Sequence, residues 1–488
     1  MSCDLLVIGG GINGAGIARD AGGRGLSVLL VERGDLAAAT SSASSKLIHG
    51  GLRYLEQLEF RLVAQALAER EILLRVAAHL ARPARFVMPQ VPGLRPRWMI
   101  RMGLFLYDHL GRRTTLPGSK AVRLDAGPYV SSLRPELRHG FVYSDCLVDD
   151  ARLVVANAMD ARARGVEIVT RTACESARRE GGLWRAVLSD GREVRARAIV
   201  NAAGPWVKRV LNERLAQRSD DDVRLVKGSH IVLPRLYVGE HAFLLQNDDR
   251  RVVFMIPYEQ RYTLVGTTDV PEPGEPDAAA ASEEEVAYLC RAVNRYLAKP
   301  VAAADVVWRY AGVRPLYDDG TSDPSAITRD YTLRVDDEAG RAPVLSVFGG
   351  KITTYRRLAE QALEKLSPYF PRMRPPWSER SPLPGSDFGG AAPPQAYEQL
   401  RSRHPGLPEP ALRGIFRRHG ALAEDVIDGG DLGEHYGADL YERELCYFVE
   451  HEWARSAEDV LWRRTKAGLH MSASQRERVA GRLAKKED

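Results

Sequence analysis

Apolar and polar stretches alternate along most of the chain in the lengths expected for short buried strands and amphipathic helices. The clearest unit is at the N-terminus, where an apolar run follows Asp4 and leads into glycines and a helical pattern. A second apolar run over 26–31 follows that helix. Continuous apolar runs on both sides of a helix are typical of parallel strands that are covered on both faces. The N-terminal segment therefore predicts a β-α-β unit.

The same pattern predicts further strands and helices along the chain. A stretch rich in Pro, Gly and Ser over 371–394 reads as a linker, and the sequence beyond it is helical and amphipathic. We expect strands at 166–170, 184–188, 198–204, 231–233, 252–256, 262–265 and 344–348, and helices at about 59–80, 353–366 and 440–464.

Three glycines and one acid give the first unit a chemical meaning. Gly9, Gly11 and Gly14 have the spacing G-x-G-x-x-G between strand and helix, and Glu32 ends the second strand. Such glycines allow a tight turn, close approach of the backbone to a pyrophosphate, and close packing of helix on strand. A carboxylate at the position of Glu32 accepts hydrogen bonds from ribose hydroxyls and disfavours a 2′-phosphate. The unit predicts binding of NAD or FAD.

Two later strands also end at glycines, Gly204 and Gly349, far from the first unit. This interleaving favours FAD, because a flavin buried along its length needs contacts from several segments. We predict an α/β fold whose Rossmann-like FAD-binding domain is discontinuous, with an inserted α+β substrate domain and a C-terminal all-helical domain. The oxidoreductase region would span 1–387, with FAD-binding segments at about 1–55, 145–220 and 325–370, substrate-domain segments at about 55–145 and 220–325, and the helical domain at 388–488.

Composition limits which cellular compartments and binding partners we expect. The 488 residues are 44% hydrophobic and carry a net charge of +5. No apolar stretch approaches the roughly 20 residues that span a bilayer, and we expect no secretory signal. The five scattered cysteines form no Cys-x-x-Cys pair, so we expect reduced thiols in the cytosol and no metal site. The basic excess is almost all arginine without a nucleic-acid-binding motif, so we predict no nucleic-acid partner.

Several longer motifs are specific to one family. They are Ile8-Gly-Gly-Gly-Ile-Asn-Gly-Ala-Gly-Ile17, Thr40-Ser-Ser-Ala-Ser-Ser-Lys-Leu-Ile-His-Gly-Gly-Leu-Arg-Tyr-Leu55, Gly312-Val-Arg-Pro315, Ile327-Thr-Arg-Asp-Tyr331 and Ser346-Val-Phe-Gly-Gly-Lys-Ile-Thr-Thr-Tyr355. By these motifs the chain resembles the FAD-dependent aerobic glycerol-3-phosphate dehydrogenases, in the superfamily of D-amino-acid-oxidase-like flavoproteins. The resemblance implies oxidation of sn-glycerol 3-phosphate to dihydroxyacetone phosphate, hydride transfer to non-covalent FAD, and electron transfer to a membrane quinone.

The resemblance also implies where substrate and flavin bind. A phosphate dianion requires several cations, and we expect Arg53, Arg314 and Arg329 to hold it with the Tyr54 hydroxyl. Lys351 would lie near the flavin or the substrate, with Arg314 and Lys351 close to the reaction. Thr268 would either reach the substrate or end a strand.

Removal of the hydroxyl proton requires a base, and two histidines are candidates, His230 and His49. A lysine or arginine with a lowered pKa is the alternative. We expect small and hydroxyl side chains to line the flavin, and a glycine pair to aim amides at it. These cofactor-binding candidates, besides Gly9, Gly11, Gly14, Glu32 and Gly204, are Thr40, Ser41, Ser42, Ser44, Ser45, Lys46, Gly349, Gly350, Lys351 and Thr353.

A quinone acceptor implies contact with a bilayer. The segment 97–112 has a stripe formed by Arg97, Arg101, Asp108 and Arg112, with apolar residues around it. It fits a helix lying in the membrane interface and equally a buried core helix. We expect a cytoplasmic protein attached to the inner face of the cytoplasmic membrane. The C-terminal domain would cap the substrate domain, form a homodimer or contact lipid.

Three other functions remain open from the sequence. An oxidase acting on the same substrate would pass electrons to oxygen and make peroxide. An amine or amino-acid oxidase of the superfamily would need a carboxylate-binding Arg/Tyr pair without the extra cations. A non-enzymatic flavoprotein that binds nucleic acid would bind with steep salt dependence.

Overall fold

The computed structural model describes residues 1–91, 93–111, 115–130, 133–217, 222–249, 251–318 and 330–485. Within these ranges the chain forms two large sheets, covering helices and a small C-terminal hairpin. The strands are β1 (Ser2–Ile8), β2 (Val28–Val31), β3 (Leu47–Ile48), β4 (Ala81–Pro89), β5 (Lys120–Arg123), β6 (His139–Val148), β7 (Glu167–Val169), β8 (Cys174–Glu180), β9 (Leu183–Leu188), β10 (Glu193–Asn201), β11 (Val223–Pro234), β12 (Ala242–Gln246), β13 (Val252–Tyr258), β14 (Tyr262–Gly266), β15 (Val270–Pro271), β16 (Trp308–Tyr317), β17 (Thr332–Glu338), β18 (Arg341–Phe348), β19 (His435–Gly437) and β20 (Leu440–Tyr441). The helices are α1 (Ile12–Gly23), α2 (Phe60–Val76), α3 (Arg97–Leu110), α4 (Asp150–Ala163), α5 (Val207–Arg209), α6 (Glu283–Asn294), α7 (Tyr355–Leu366), α8 (Pro393–Arg403), α9 (Glu409–His419), α10 (Ala423–Ile427), α11 (Glu442–His451) and α12 (Ala473–Ala484).

The first sheet is built from three distant parts of the chain. Its order is β17-β18-β10-β1-β2-β7, and the β8-β9 hairpin joins it by pairing of β9 with β10. The strands from β18 to β7 are parallel neighbours, and β1 and β2 are almost wholly buried. α1 packs on the sheet between α4 and α7. The predicted α/β fold with a discontinuous FAD-binding domain is thereby confirmed.

The second sheet follows the order β15-β11-β14-β13-β12-β4-β6-β3, with β16 added beside β11 and β5 beside β6. One side packs against α6 around a separate apolar core. β3 pairs with β6 and so belongs to this sheet, although it lies within the segment 1–55 that we expected to bind the nucleotide. The chain therefore crosses from the first sheet to the second near residue 45.

The C-terminal region contains α8 to α12 and the β19-β20 hairpin. The range 440–464, which we expected to be helical, contains two separate helical segments. α11 ends at His451, Trp453 has a φ of +60°, and a separate helical turn covers Asp459–Arg464. Glu452 is completely buried at the break and pairs with Arg152 of α4. A buried tertiary ion pair therefore lies at the point where the helical pattern is interrupted.

α3 has a buried face and an exposed apolar face. Ile100, Leu104 and Tyr107 pack into the core, whereas Trp98, Met102 and Phe105 are exposed by 65%, 50% and 51%. Arg112, at the end of the expected stripe, lies outside the described residues. In the part of the chain that the structure covers, no helix has both the length and the apolar character needed to cross a membrane.

Candidate active site

A cavity of about 640 Å³ opens at the carboxyl ends of the parallel strands of the first sheet. Ligands of open α/β sheets bind at this edge. Its walls come from the turns after β1, β2, β10 and β18, and include the predicted Gly9, Gly11, Glu32, Gly204, Gly349 and Gly350. Its volume, and its lining by several separate turns, suit a dinucleotide.

The glycine turn is built for close approach. Gly9 has a φ of +112°, and a Cβ on Gly14 would lie 1.9 Å from the Gly9 carbonyl oxygen. Helix and strand can pack at this distance only because Gly14 has no side chain. Glu32 accepts hydrogen bonds from the amides of Gly10 (2.6 Å) and Gly34 (2.7 Å). Burial raises the pKa of Glu32, and these two amides partly offset the effect.

Buried polar atoms at the cavity lack partners within the described residues, as expected where a polar group binds. They include Asn13 Oδ1 and Trp206 Nε1, and both residues line the cavity. Asn13 also donates from Nδ2 to the Gly349 carbonyl (3.2 Å), which ties the first turn to the turn after β18. The residues present therefore fit FAD. Sequence reasoning did not identify Asn13 or Trp206, although Trp206 follows the predicted Gly204 directly.

The hydroxyl-rich segment has more than one role. Thr40 and Ser41 line the cavity, and Ser41 Oγ accepts from the Ile12 amide (3.0 Å) at the start of α1. Ser44 and Lys46 instead contact the buried Asp150 at 2.7 and 2.9 Å. The contacts with Asp150 occupy these two side chains, and their role in binding the flavin stays a prediction.

The ion pair between Lys46 and Asp150 is buried. Burial alone would lower the pKa of Lys46, but the Asp150 carboxylate outweighs burial and raises it above its usual value. Lys46 also donates to the Ser42 carbonyl at 3.0 Å. Ser42 Oγ itself contacts the Ala39 carbonyl at 3.3 Å. These bonds hold the shape of the segment.

Two of the predicted phosphate-binding arginines meet at one carboxylate. Arg314 Nη2 lies 2.5 Å from Asp269 Oδ1, and Arg53 Nη1 lies 3.8 Å from Asp269 Oδ2. Arg53 comes from the helical turn Leu52–Gln57 and Arg314 from β16. Both side chains are partly exposed, at 25% and 30%. Arg329 lies outside the described residues.

Thr268 contacts Arg314 and is itself held by buried hydrogen bonds. Its hydroxyl donates to Glu285 (2.7 Å) and accepts from the Ser229 amide (2.9 Å), while its carbonyl accepts from Arg314 (3.1 Å). The side chain is buried and its hydrogen bonds are internal. The Thr268 carbonyl therefore helps to position Arg314, and a contact of Thr268 with the substrate stays a prediction.

Lys351 and Tyr54 are neighbours. The Lys351 ammonium lies 3.9 Å from the centre of the Tyr54 ring. Its Nζ is buried without a hydrogen-bond partner among the described residues. Lys351 follows Gly349 and Gly350, which line the cavity. The ammonium is therefore available to an anionic or carbonyl group bound beside the turn.

The two candidate histidines differ in their surroundings. His230 is buried, stacks on Tyr310 at 4.8 Å, and its Nε2 lies 2.8 Å from Ser45 Oγ. Burial, followed by the charges of Lys46 and Arg314, lowers the pKa of His230 to about 3. His49 is half-buried, and its backbone amide donates to the hydroxyl of the predicted Thr353 (3.2 Å).

The C-terminal region braces the loop after β2. Asp35 accepts hydrogen bonds from Arg463 Nε (2.7 Å) and from Arg464 Nη2 (2.8 Å). Arg464 and Asp35 are both fully buried. Buried ion pairs are costly to break, because the remaining charge loses its partner. The loop that forms one wall of the cavity is thus held by residues more than four hundred positions later.

Comparisons with known proteins agree with this geometry. Residues 4–356 match the family described as FAD dependent oxidoreductase, and residues 377–485 match the C-terminal domain of alpha-glycerophosphate oxidase. A protein of Pseudomonas aeruginosa named glycerol-3-phosphate dehydrogenase is 56% identical, over 98% of this chain and 94% of its own. A protein of Brucella abortus named D-erythritol 1-phosphate dehydrogenase is 50% identical, over 97% of this chain and 96% of its own.

A solved structure extends the likeness to three dimensions. The glycerol-3-phosphate dehydrogenase from Bacillus halodurans complexed with FAD is 25% identical, with a TM-score of 0.76 over 99% of this chain and 94% of that one. The matched family, the cavity of this chain and the FAD bound in that solved structure all indicate the same cofactor. This chain therefore belongs to the FAD-dependent oxidoreductase family, and its cofactor is FAD.

Proposed function

We propose that the chain oxidises sn-glycerol 3-phosphate at its secondary carbinol to dihydroxyacetone phosphate, and that membrane quinone receives the electrons. The observation that carries the proposal is the meeting of Arg53 and Arg314 at Asp269, beside the flavin cavity. Arg314 precedes Pro315, which lines that cavity. Two guanidinium groups from separate segments suit a phosphate monoester, because each offers paired donors to its oxygens.

The remaining groups suit the rest of a short polyol phosphate. Lys351 offers an ammonium next to Tyr54, whose ring it contacts. In the proposed complex, Arg53 and Arg314 hold the phosphate, and Lys351 lies towards the carbinol and the flavin. FAD, when bound, supplies the hydride acceptor at its isoalloxazine ring.

The hydroxyl proton goes to a histidine in this proposal. At neutral pH His230 is uncharged, since its pKa is about 3, so it is in the form that accepts a proton. If the hydride leaves the carbon before the proton leaves the oxygen, the substrate hydroxyl becomes the O–H group of a protonated carbonyl. This group is strongly acidic, so a weak base is sufficient. The Ser45 hydroxyl on His230 Nε2 can pass the proton on. His49 is the second candidate.

A membrane acceptor is supported by the exposed face of α3. Trp98, Met102 and Phe105 lie on this face. Beneath it, an apolar cavity of about 330 Å³ reaches from α3 to Arg53 and includes Met88 in its wall. An exposed apolar patch with arginines nearby suits the interface of a bilayer. We therefore propose peripheral attachment to the inner face of the cytoplasmic membrane through α3.

Anaerobic reduction of the bound flavin tests the proposal. Glycerol 3-phosphate should bleach the visible flavin absorbance of the purified holoenzyme, whereas glycerol at the same concentration should bleach it far more slowly. D-erythritol 1-phosphate is included, because one relative bears that name, and bleaching by that compound alone would assign a different substrate. Fully bound flavin that glycerol 3-phosphate does not bleach would refute the proposal. Reoxidation by a short-chain quinone should outpace reoxidation by air; peroxide formed in step with turnover would instead indicate an oxidase.

A further inference from the structure

Asp269 stands where it must compete with the substrate. Its two carboxylate oxygens contact the two arginines that we propose to hold the phosphate, Arg314 at 2.5 Å and Arg53 at 3.8 Å. The carboxylate is 25% exposed, so the cluster is open to solvent on one side. A phosphate that enters therefore meets cations that already have an anionic partner.

The position of Asp269 is fixed by its neighbour in the chain. Thr268 is buried, and its hydroxyl is held by Glu285 and by the Ser229 amide. Glu285 also accepts a hydrogen bond from Ser229 Oγ (2.8 Å), and the Lys227 ammonium lies 3.1 Å from the Glu285 carboxylate. An anion tethered in this way has a high effective concentration next to the arginines.

We infer that Asp269 is an internal competitor that keeps the phosphate site weak. It neutralises Arg53 and Arg314 when the site is empty, and the substrate phosphate must displace it or share the arginines with it. A phosphate with no further contacts then binds poorly, and the phosphorylated product is released readily. This inference rests on the proposed phosphate-binding role of the two arginines.

If Asp269 competes with phosphate, removal of its charge should increase the affinity for phosphate. Removing the charge by Asp269→Asn should tighten the binding of inorganic phosphate by about tenfold, which is about 1.4 kcal/mol. Two partly exposed ion pairs can supply this amount. Because substrate and transition state gain equally, KM for glycerol 3-phosphate should fall with the chemical step unchanged, so kcat/KM should rise by a similar factor. kcat should fall as well if product release becomes slow.

A purely structural role of Asp269 predicts the opposite change in phosphate affinity. If Asp269 only holds the arginines in place, Asp269→Asn lets them separate, and phosphate binds more weakly. A matched control is Asp318→Asn, because Asp318 pairs with Arg224 at 3.1 Å with similar exposures of 28% and 25%. The control should leave phosphate affinity within twofold of the native value.

Calorimetric titration of inorganic phosphate into the holoenzyme gives the affinity without any turnover. Flavin content and melting temperature show whether each variant is folded, and Asp269→Ser serves as a second charge-removing variant. Tighter phosphate binding in either folded variant supports the inference, and unchanged or weaker binding overturns it. If neither native protein nor variants bind phosphate, the phosphate site itself is wrong, and the proposed function fails with it.

Discussion

Replacement of Arg314 by alanine is the sharpest test of the substrate site. The guanidinium is 30% exposed, contacts Asp269 and the Thr268 carbonyl, and adjoins the cavity-lining Pro315. In the proposed complex it donates to the substrate phosphate. A hydrogen bond between charged groups contributes about 1.5–3 kcal/mol. Two such bonds, less the interaction with Asp269 that they replace, amount to about 3 kcal/mol, so kcat/KM should fall by roughly a hundredfold.

The assay is steady-state oxidation of glycerol 3-phosphate with an artificial electron acceptor, compared with glycerol. Arg314→Ala should reduce the preference for the phosphorylated compound, because only that compound uses the arginine. Arg309→Ala is the control on the same strand, since Arg309 pairs with Glu283 at an exposed site where ion pairs contribute little. A fall of less than about fivefold, or an equal fall for glycerol, would show that Arg314 does not bind phosphate.

Three further predictions concern the cofactor, the buried histidine and the membrane. Gly14→Ala places a Cβ 1.9 Å from the Gly9 carbonyl oxygen and should release FAD, as measured by flavin absorbance after gel filtration. The control Gly481→Ala, with no described atom within 4 Å of its Cβ, should retain FAD. The pKa of His230 is about 3 in the folded protein against 6.5 for the free group, so the unfolded chain binds more protons between these values and the native protein loses stability as the pH falls below 6.5. Melting temperatures should therefore fall less for His230→Gln than for the native protein between pH 6.5 and about 4.5, and parallel curves would contradict the burial argument. Phe105→Ser should weaken binding to anionic liposomes, whereas Val238→Ser, at a residue that is 85% exposed elsewhere, should not; equal binding of both variants would exclude this part of α3 as the membrane contact.

Local pattern was sufficient for the parallel strands of the first sheet, although it did not predict the antiparallel β8 and β17. β1, β2 and the glycine turn depend on neighbours within a few residues, so the spacing of Gly9, Gly11 and Gly14 indicated both the turn and the cavity. Gly204 and Gly349 could be placed at the same edge, because each ends an apolar run and parallel strands end together. These parts of the fold follow from residues that are close in sequence.

Long-range ion pairs explain what the sequence did not reveal. The ion pair of Lys46 could not be predicted from the hydroxyl residues that precede it, because its partner Asp150 lies 104 positions away. The break in the helical pattern over 440–464 also lies at a long-range ion pair, because Glu452 pairs with Arg152 across 300 positions. Asp269 was also invisible as a partner of Arg53 and Arg314, because three separate segments meet there.

The brace between Asp35 and the arginine pair Arg463-Arg464 has a consequence for biosynthesis. β1, α1 and the loop after β2 leave the ribosome first, yet their cavity wall gains its buried cationic partners only when the last few dozen residues have been made. Stable retention of the flavin should thus be a late event in maturation. Truncated chains that stop before residue 463 should emerge as colourless protein even though every glycine of the dinucleotide turn is present.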